Sequence, residues 1–400
     1  MVAGHRQADV TSASRPTSPP VHPARRRALR RRLLAWYAAT RRELPWRFDE
    51  GQADPYRVWI SEVMLQQTQV ARVIPYYRRF LEAFPTLGAL AAVEEGEVLA
   101  AWSGLGYYAR ARGLHRAARE ALARHGGLPA SLAGLAALPG FGPYTAGAVA
   151  SIAHGIPAAA VDGNVARVLA RLFAVEGPPQ GIEARRRIAA LADALLGPEQ
   201  AGDWTQALIE LGATRCVKPV PRCGRCPVAR LCQARRAGRE LELPPARRRT
   251  PRRNQRLGLA VIRRGPRLLL QRRPASGLFG GLWAPPLVEL PAGRVTVARA
   301  RELLEDGLSG ALGVPVEVGP ELASARRTLT HRELELVAYL VRPGAPPRGP
   351  GLRWATLPEA ERLGLAAAVR VLLARLPPVR GHPGKRASSS AHGAEILESS

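Results

Sequence analysis

The sequence of 400 residues predicts a helical N-terminal domain followed by an α+β domain. Helix-length apolar patterns separated by Gly and Pro continue to about Leu211, without a convincing alternating strand. All four cysteines then fall between Cys216 and Cys232, and short apolar runs typical of strands follow a Pro- and Arg-rich stretch. The predicted boundaries are a disordered tail at 1–24, a helical domain at 25–243 with the cysteine loop at 216–232, a linker at 244–256, an α+β domain at 257–377 and a disordered tail at 378–400.

The N-terminal tail is rich in Pro, Ser, Thr and Ala and has no apolar period, which is typical of disorder. In the first helix after it, Leu33, Leu34, Trp36 and Tyr37 lie on or near one face, and Pro45 stops the helix. The predicted helices of this half are Arg25–Arg42, Val58–Thr68, Pro75–Glu82, Glu95–Ser103, Ala109–Arg124, Thr145–His154 and Ile182–Leu196.

The C-terminal half combines strand and helix patterns. Leu257–Arg263 and Arg267–Arg272 flank Gly265-Pro266, which predicts a hairpin. Leu334–Val341 is a further strand candidate. The helical candidates are Ala298–Leu308 and Leu357–Leu376. Mixed elements of this kind indicate a separate α+β domain.

The formal charge of +27 favours a polyanionic partner, because Arg and Lys neutralise phosphates. Only Lys218 and Lys385 are lysines, and abundant Arg with Ala, Gly and Pro is also what a GC-rich genome encodes, so charge alone is weak evidence. No apolar run reaches a membrane span and no secretory h-region is visible, although an organelle transit peptide stays open. We expect a monomeric, nucleoid-associated protein of a bacterial cytoplasm.

The cysteines form the pattern Cys216-x6-Cys223-x2-Cys226-x5-Cys232. Their clustering argues against a disulfide scaffold and against four unrelated buried thiols. Zinc ribbons usually have two Cys-x2-Cys knuckles, whereas this loop has one knuckle and two wider arms. That pattern suits a cubane cluster held by four thiolates, but spacing alone does not settle the metal.

Leu138–Ala146 contains Gly140 and Gly142 in a tight turn that leads into a small-residue helix. Backbone N–H groups at such a helix start bind phosphate without reading sequence. An ordinary helix–turn–helix corner has the same pattern. With Thr145-Ala146 following, the segment indicates a helix–hairpin–helix clamp on the DNA backbone.

Two carboxylates could perform acid–base chemistry. Glu62 lies inside an otherwise apolar helix, where it either belongs to a polar face or has a raised pKa and donates a proton. Asp162 precedes a helix and is either a plain N-cap or an ionised group that faces a developing cation. Such a pair is what cleavage of an N-glycosidic bond through an oxocarbenium-like state requires.

Gly104–Arg112 places Tyr107 beside a flexible turn and near Arg110. Tyr107 is either a core residue or a wedge that enters a base stack, with arginine on the phosphates.

Together these segments resemble the MutY-type adenine DNA glycosylases, in the helix–hairpin–helix superfamily shared with endonuclease III. The similarity covers about residues 30–375. The matching stretches, in order and spacing, are Leu44–Arg47, Trp59–Gln69, Gly104–Arg112, Leu138–Gly147, Val161–Leu169 and the four cysteines.

The resemblance implies a role for each matching residue. Glu62 would be the general acid and later the base for water, and Asp162 would stabilise the cationic sugar or trap it covalently. Tyr144 stands where endonuclease III carries a lysine nucleophile, so no Schiff base is expected and the enzyme would be monofunctional. The remaining assignments are Trp46, Arg47 and Gln206 in the adenine pocket, Asn164 as catalytic support, Gln66, Gln67, Tyr107, Gly140 and Gly142 on DNA, and the cysteines on a [4Fe–4S] cluster.

The C-terminal half resembles the Nudix-like domain of the same family, which senses 8-oxoguanine. Arg273–Trp283 is its best match. The family's Phe-Ser-His loop reads Leu329-Thr330-His331 here, so the hydroxyl and the imidazole are kept and the aromatic ring is lost. The segment around Glu302 and Glu305 is only a fragment of the acidic Nudix motif, which predicts recognition without hydrolysis.

The expected partner is double-stranded DNA that carries adenine opposite 8-oxoguanine or guanine. Two alternatives stay open, an endonuclease III-like lyase on oxidised pyrimidines and a DNA-binding iron–sulfur protein without catalysis. Tyr144 and the extra domain argue against the first, and the presence of both Glu62 and Asp162 argues against the second.

Overall fold

The computed structural model describes residues 21–47, 53–245, 251–291, 296–329 and 331–377. Thr330 and most of both predicted tails therefore lie outside the described residues. The chain divides into two compact units, residues 1–250 and 251–400. No helix in the described ranges is long and apolar enough to cross a membrane.

Unit 1 is helical throughout its described part, as the sequence predicts. Its helices are α1 Pro23–Thr40, α2 Pro55–Leu65, α3 Val70–Ala83, α4 Leu87–Ala92, α5 Glu95–Ala101, α6 Ala109–His125, α7 Leu132–Ala136, α8 Pro143–His154, α9 Gly163–Leu172, α10 Ile182–Ala194, α11 Ala201–Thr214 and α12 Gln233–Arg236. Two single 3₁₀ turns, Cys223–Arg225 and Ala229–Leu231, shape the cysteine loop.

Two predicted helix boundaries in unit 1 are wrong in ways that affect the site. The helix predicted to run to Thr68 ends at Leu65, because Gln67 takes a positive φ of 57° that no α-helix contains. The helix predicted to begin at Pro75 begins at Val70 instead and carries Pro75 inside. Pro75 removes only one backbone bond there, which the strongly amphipathic helix tolerates.

A buried apolar cluster joins α1, α9, α10 and α11. Leu29 and Leu33 of α1 and Leu169 of α9 are each at most 1% exposed. Cys216, Cys226 and Cys232 pack against the same cluster. The core therefore fixes the cysteine loop to the helix that begins just after Asp162.

Unit 2 is an α+β fold with two sheets. Its elements are β1 Arg253–Val261, β2 Arg263–Arg264, β3 Arg267–Arg272, β4 Trp283–Ala284, β5 Leu287–Leu290, α13 Val297–Leu312, β6 Val316–Thr328, β7 Arg332–Pro343, β8 Leu352–Ala355, α14 Leu357–Arg362 and α15 Ala367–Leu373. One sheet has the order β5-β1-β7-β6 and the other β2-β3-β4, with β8 also on β3.

The predicted hairpin around Gly265-Pro266 is confirmed, but its first strand is shorter than predicted. Only the two residues of β2 pair with β3, whereas β1 pairs in parallel with β7 and antiparallel with β5 in the other sheet. The chain changes sheets after Val261, which a local apolar pattern does not encode. β1 also begins at Arg253, inside the stretch predicted as linker.

The long C-terminal helix predicted over Leu357–Leu376 is two short helices, α14 and α15. Gly364 between them has a φ of +87°, which breaks the helical hydrogen-bond ladder. The predicted strand Leu334–Val341 is confirmed as part of β7, and it pairs with the unpredicted β6.

Candidate active site

One large cavity in unit 1, about 970 Å³, gathers most of the residues that the sequence singles out. It lies where α2, α8, α9 and α11 approach one another. The predicted site residues that line it are Trp46, Arg47, Glu62, Gln66, Gln67, Gly140, Gly142, Tyr144, Asp162, Asn164 and Gln206. Tyr107 is not among the lining residues. A cavity that brings together a buried and a half-buried carboxyl group is the default candidate for an active site.

Glu62 is 6% exposed and lies in α2, whose residues from Val58 to Met64 are all buried. Its Oε2 accepts a hydrogen bond of 2.5 Å from the hydroxyl of Tyr144. Burial raises the pKa of Glu62 to about 7, helped by the negative charge of Asp162 and opposed by the Tyr144 hydrogen bond and by Arg47. Glu62 can therefore hold a proton near neutral pH and release it to a bound base.

Asp162 is the N-cap of α9. Its Oδ1 accepts from the backbone N–H groups of Asn164 at 2.9 Å and Val165 at 2.7 Å, and its Oδ2 accepts from the Asn164 amide at 2.9 Å. Burial raises the pKa of Asp162 above its ordinary value, against the opposing effect of these hydrogen bonds. Three donors hold the charged form in place, so a carboxylate faces the cavity where positive charge would develop.

Asn164 is held in turn by a close approach of two helices. A Cβ added to Gly212 of α11 would lie 2.7 Å from the Asn164 Cβ, so only glycine fits there. On its other side, the Arg167 guanidinium donates to Asn164 Oδ1 at 2.9 Å and to the carbonyl of Cys216 at 2.7 Å. The cysteine loop is thereby connected to the support of Asp162.

Trp46 and Arg47 form one wall, on the chain that follows α1. Trp46 is 6% exposed, and the Arg47 guanidinium lies over the Tyr37 ring at 5.4 Å. Arg47 donates to Glu210 at 2.8 Å, and Arg42 donates to the same carboxylate at 2.6 Å. Burial alone would raise the pKa of Glu210. The hydrogen bonds from Arg42 and Arg47 outweigh that effect and keep this pKa below its usual range.

Sequence reasoning missed Glu210. It lies in an apolar stretch of α11, where a lone glutamate indicates either a surface position or a buried ion pair. In the fold, Glu210 forms an ion pair with Arg42 and Arg47, which lie far away in the sequence. No local sequence pattern predicts that pairing.

Gln67 and Tyr107 share an unusual backbone. Both have positive φ, 57° and 52°, although neither is glycine. Such residues cost about 1–3 kcal/mol each and cluster at functional sites. Tyr107 is 42% exposed, so a ligand can reach its ring.

Arg110, one of the two arginines in the segment Gly104–Arg112, links these two strained turns. Its guanidinium donates to the carbonyls of Val63 at 2.8 Å and Gln66 at 2.5 Å, at the end of α2. It also donates to the Gly106 carbonyl at 3.3 Å, just before Tyr107. Burial lowers the pKa of Arg110 to about 10. Arg110 is thus half-buried and connects the end of α2 to the turn before Tyr107.

The turn before α8 needs only one of its two predicted glycines. Gly140 has a φ of +81° and approaches the backbone of Gly113, where a Cβ would lie 3.3 Å from the Gly113 Cα. Gly142 has an ordinary φ of −80° as the N-cap of α8, with open space around it. That space leaves the N-terminus of α8 accessible to a phosphate.

All four cysteines line one small, mainly apolar cavity. Arg171, 3% exposed, donates to the Cys216 Sγ at 3.3 Å and to the Leu243 carbonyl at 2.7 Å. Among the described residues no three His, Cys, Asp or Glu side chains are gathered tightly enough to hold a single metal ion. The four thiols line the same cavity, and four thiolates are the donor set that holds an iron–sulfur cluster.

In unit 2, His331 lies in the turn that joins β6 to β7 and is exposed. Leu329 donates its N–H to the Arg332 carbonyl at 2.7 Å, which closes the turn. Leu329 is 37% exposed. Of the weakened acidic motif, Glu302 pairs with Arg299 at 2.8 Å and Glu305 accepts from the Val318 N–H at 2.9 Å.

Known proteins resemble the chain over both units. It matches the HhH-GPD superfamily of base excision DNA repair proteins over residues 60–193, and the NUDIX domain over residues 258–375. It is 36% identical to the adenine DNA glycosylase of Rattus norvegicus over 398 residues, 86% of this chain and 77% of the relative. The human adenine DNA glycosylase is 36% identical, and the alignment covers 86% of this chain and 73% of the human protein. The adenine DNA glycosylase of Mycolicibacterium smegmatis is 43% identical, and that alignment covers 52% of this chain and 69% of the relative.

Proposed function

Because the chain belongs to the adenine DNA glycosylases of base excision repair, we propose that it hydrolyses the N-glycosidic bond of a flipped adenine opposite 8-oxoguanine or guanine. The observation that carries this proposal is the presence of Glu62 and Asp162 in one cavity with different burial and different numbers of hydrogen-bond donors. Glu62 is deeply buried, whereas Asp162 has three hydrogen-bond donors.

Glu62 and Asp162 have different roles in the proposed reaction. Glu62 donates a proton to a ring nitrogen of adenine, which turns the base into a neutral leaving group. Asp162 stabilises the cationic sugar, or traps it covalently. The Glu62 carboxylate then takes a proton from the water that completes hydrolysis. Tyr144 holds the Glu62 carboxyl in place through its hydrogen bond.

The supporting residues position DNA around this pair. Trp46, Arg47 and Gln206 line the part of the cavity that receives the adenine. Gln67 and Tyr107, on their strained turns, occupy the space that the flipped base leaves in the stack. Gln66 is fixed by its bond of 3.1 Å to Thr145, and the turn at Gly140–Gly142 holds the backbone phosphate.

Three duplexes test the proposal, with adenine opposite 8-oxoguanine, adenine opposite guanine, and thymine glycol opposite adenine. We expect base release from the first two and none from the third, with strand breaks only after alkali. Lys218 lines the cavity and is exposed, so an imine between its amine and the abasic aldehyde is the lyase alternative. Strand cleavage without alkali, with borohydride trapping that is lost in Lys218→Arg, would contradict a monofunctional enzyme.

We further propose a [4Fe–4S] cluster on Cys216, Cys223, Cys226 and Cys232. Arg171 supports this, because its buried positive charge beside Cys216 offsets the negative charge of such a cluster. The bound cluster would fix the loop that presents the exposed side chains of Lys218, Arg222 and Arg225 to phosphate.

Purified protein is expected to be brown and to contain about four iron atoms per chain. Cys226→Ser should lose the iron and weaken binding to lesion duplex by about tenfold or more, because the basic loop loses its shape. The helical core should remain folded, since its apolar cluster does not depend on the metal. Iron content, duplex affinity and circular dichroism measure these effects. A colourless protein with stoichiometric zinc would contradict the cluster.

Unit 2 is proposed to recognise the lesion without chemistry. His331 lies in the β6–β7 turn, and Thr330, which precedes it in the sequence, is outside the described residues. We propose that the Thr330 hydroxyl and the His331 imidazole hydrogen-bond to the N7 proton and C8 oxygen of 8-oxoguanine. The double change Thr330→Ala with His331→Ala is expected to lower the preference for adenine opposite 8-oxoguanine over guanine by about tenfold, the scale of one or two base-edge contacts. Single-turnover rates on the two duplexes measure the preference.

The matched control is Thr328→Ala, the last residue of β6 beside the same turn. It should leave the preference unchanged. An unaltered preference in the doubly substituted protein would remove the recognition role from this turn. Hydrolysis of nucleoside triphosphates that is lost in Glu305→Gln would instead show an active Nudix site.

A further inference from the structure

We propose that a second cavity of unit 1, behind the wall of the catalytic cavity, is a transit site for the free purine base that the reaction produces. This inference rests on the proposed function of the catalytic cavity. The second cavity has a volume of about 340 Å³, within the range of small-molecule sites. It lies between α1, the C-terminal end of α8 and the first turns of α11.

The two cavities share a wall. Trp46, Arg47 and Gln206 line both of them, so a single layer of side chains separates the spaces. Those residues are the ones proposed to contact adenine before cleavage. Once the glycosidic bond is broken, passage of the base from one space to the other requires these side chains to rotate, and for Arg47 it requires the hydrogen bond to Glu210 to open.

The chemistry of the second cavity suits a heteroaromatic base. The aromatic residues Tyr37 and Trp46 line the cavity, together with the Arg47 guanidinium that lies over the Tyr37 ring. A base that displaces this guanidinium from the ring would stack on the same faces. The Tyr37 hydroxyl is buried, with 2% exposure of the residue, and has no hydrogen-bond partner among the described residues. Burial raises the pKa of Tyr37 to about 12, so the hydroxyl carries its proton and can donate to a purine nitrogen.

Further polar groups surround the space. The buried Nε2 of His154 also lacks a partner within the described part of the chain, and burial lowers the pKa of this imidazole. Gln206 and Asp203 of α11 add an amide and a carboxylate. Adenine has an exocyclic amine, an N9 proton and three ring acceptors, which these groups complement. Buried polar atoms without partners are costly, and a bound base would satisfy them once the side chains that cover them rotate.

The second cavity also opens to solvent. Gly155 and Gln200 line it and are exposed, as is Arg41. On the proposed function, the DNA strand enters through the mouth of the catalytic cavity. A base freed beneath a bound strand has no exit there until the DNA dissociates. The second cavity gives it a separate route, so adenine is expected to leave before the abasic duplex does.

The test follows adenine and DNA separately. A duplex with radiolabelled adenine opposite 8-oxoguanine is converted in a single turnover by the full-length protein, and the complex is isolated by rapid gel filtration. Alkali reports whether abasic sites formed, which tests the proposed function alone. We expect labelled adenine to be free while the abasic duplex stays bound.

Ile152→Trp places a large side chain in the second cavity and avoids the catalytic one. It should form abasic sites at the wild-type rate but slow adenine release by about tenfold or more, since release then waits for DNA dissociation. The matched control is Ile182→Trp, at a position 72% exposed on α10, which should behave as wild type.

Tyr37→Phe provides a second test of the transit site that does not depend on whether Ile152→Trp folds. With the catalytic pocket filled by a duplex carrying uncleavable 2′-fluoro-adenosine, radiolabelled adenine should still bind the wild type. In Tyr37→Phe its affinity should fall about threefold to tenfold, the effect of one hydrogen bond. The inference is overturned if adenine stays with wild-type protein until the DNA dissociates, if Ile152→Trp releases it as fast as wild type, or if the filled complex binds no adenine.

Discussion

Replacing Glu62 with Gln is expected to lower the single-turnover rate of adenine release by about a thousandfold or more, because the amide keeps the shape of the acid and cannot supply its proton. The Tyr144 hydroxyl can still donate to the amide oxygen, so the cavity should stay intact. Affinity for the lesion duplex should remain largely intact, since the acid acts on the base after it is bound. Rapid-quench kinetics and duplex titration measure the two quantities.

The same variant has a predicted effect on stability. Folding raises the pKa of Glu62 from 4.5 to about 7, so the cost of this carboxyl to folding grows as the pH rises from about 4.5 and is fully present above about 7. Removing that charge should increase the free energy of unfolding at pH 8 by about 1–3 kcal/mol. Glu82→Gln, on the exposed surface of α3, is the control for both measurements. Near wild-type release by Glu62→Gln would show that the acid is another group.

Replacing Asp162 with Asn is expected to slow adenine release by about a hundredfold to a thousandfold, the scale of losing one charge directed at a transition state. Asparagine is also a good N-cap, so α9 should still begin at Gly163 and the protein should stay folded. The variant therefore separates the charge of Asp162 from its capping role.

Asp54→Asn is the matched control, because Asp54 caps α2 through its bond of 2.8 Å to the Tyr56 N–H and lies outside the cavity. It should keep the wild-type rate. If Asp162→Asn also keeps that rate, the residue is only a cap, and the cationic sugar must be stabilised elsewhere.

The sequence predicts the helical and α+β halves, and the structure confirms that fold class. Helix periodicity is a local signal, so the predicted ends of elements such as α6 and α8 agree with the structure to within two residues. The prediction is less accurate for unit 2, because sheet order depends on distant pairings. β1 pairs with β7 some eighty residues later, and nothing within β1 indicates that partner.

The residues of the candidate site could also be predicted only in part from the sequence. Glu62, Asp162 and the cysteines stand in motifs, so the sequence alone is sufficient to single them out. Glu210 and Arg110 do not, because their roles come from partners that the fold brings together, such as Arg47 and the end of α2. The positive φ of Gln67 and Tyr107 is likewise imposed by tertiary contacts, since glycine is the residue that such turns favour.

The most direct test of the central claim is the pH dependence of single-turnover adenine release. Glu62 acts as an acid, so the rate should fall about tenfold per pH unit above its pKa of about 7. The hydrogen bond from Tyr144 lowers that pKa, so Tyr144→Phe should shift the alkaline limb to higher pH. A rate that rises through pH 7 to 8, or a limb that moves to lower pH in Tyr144→Phe, would contradict a protonated Glu62 as the group that releases the base.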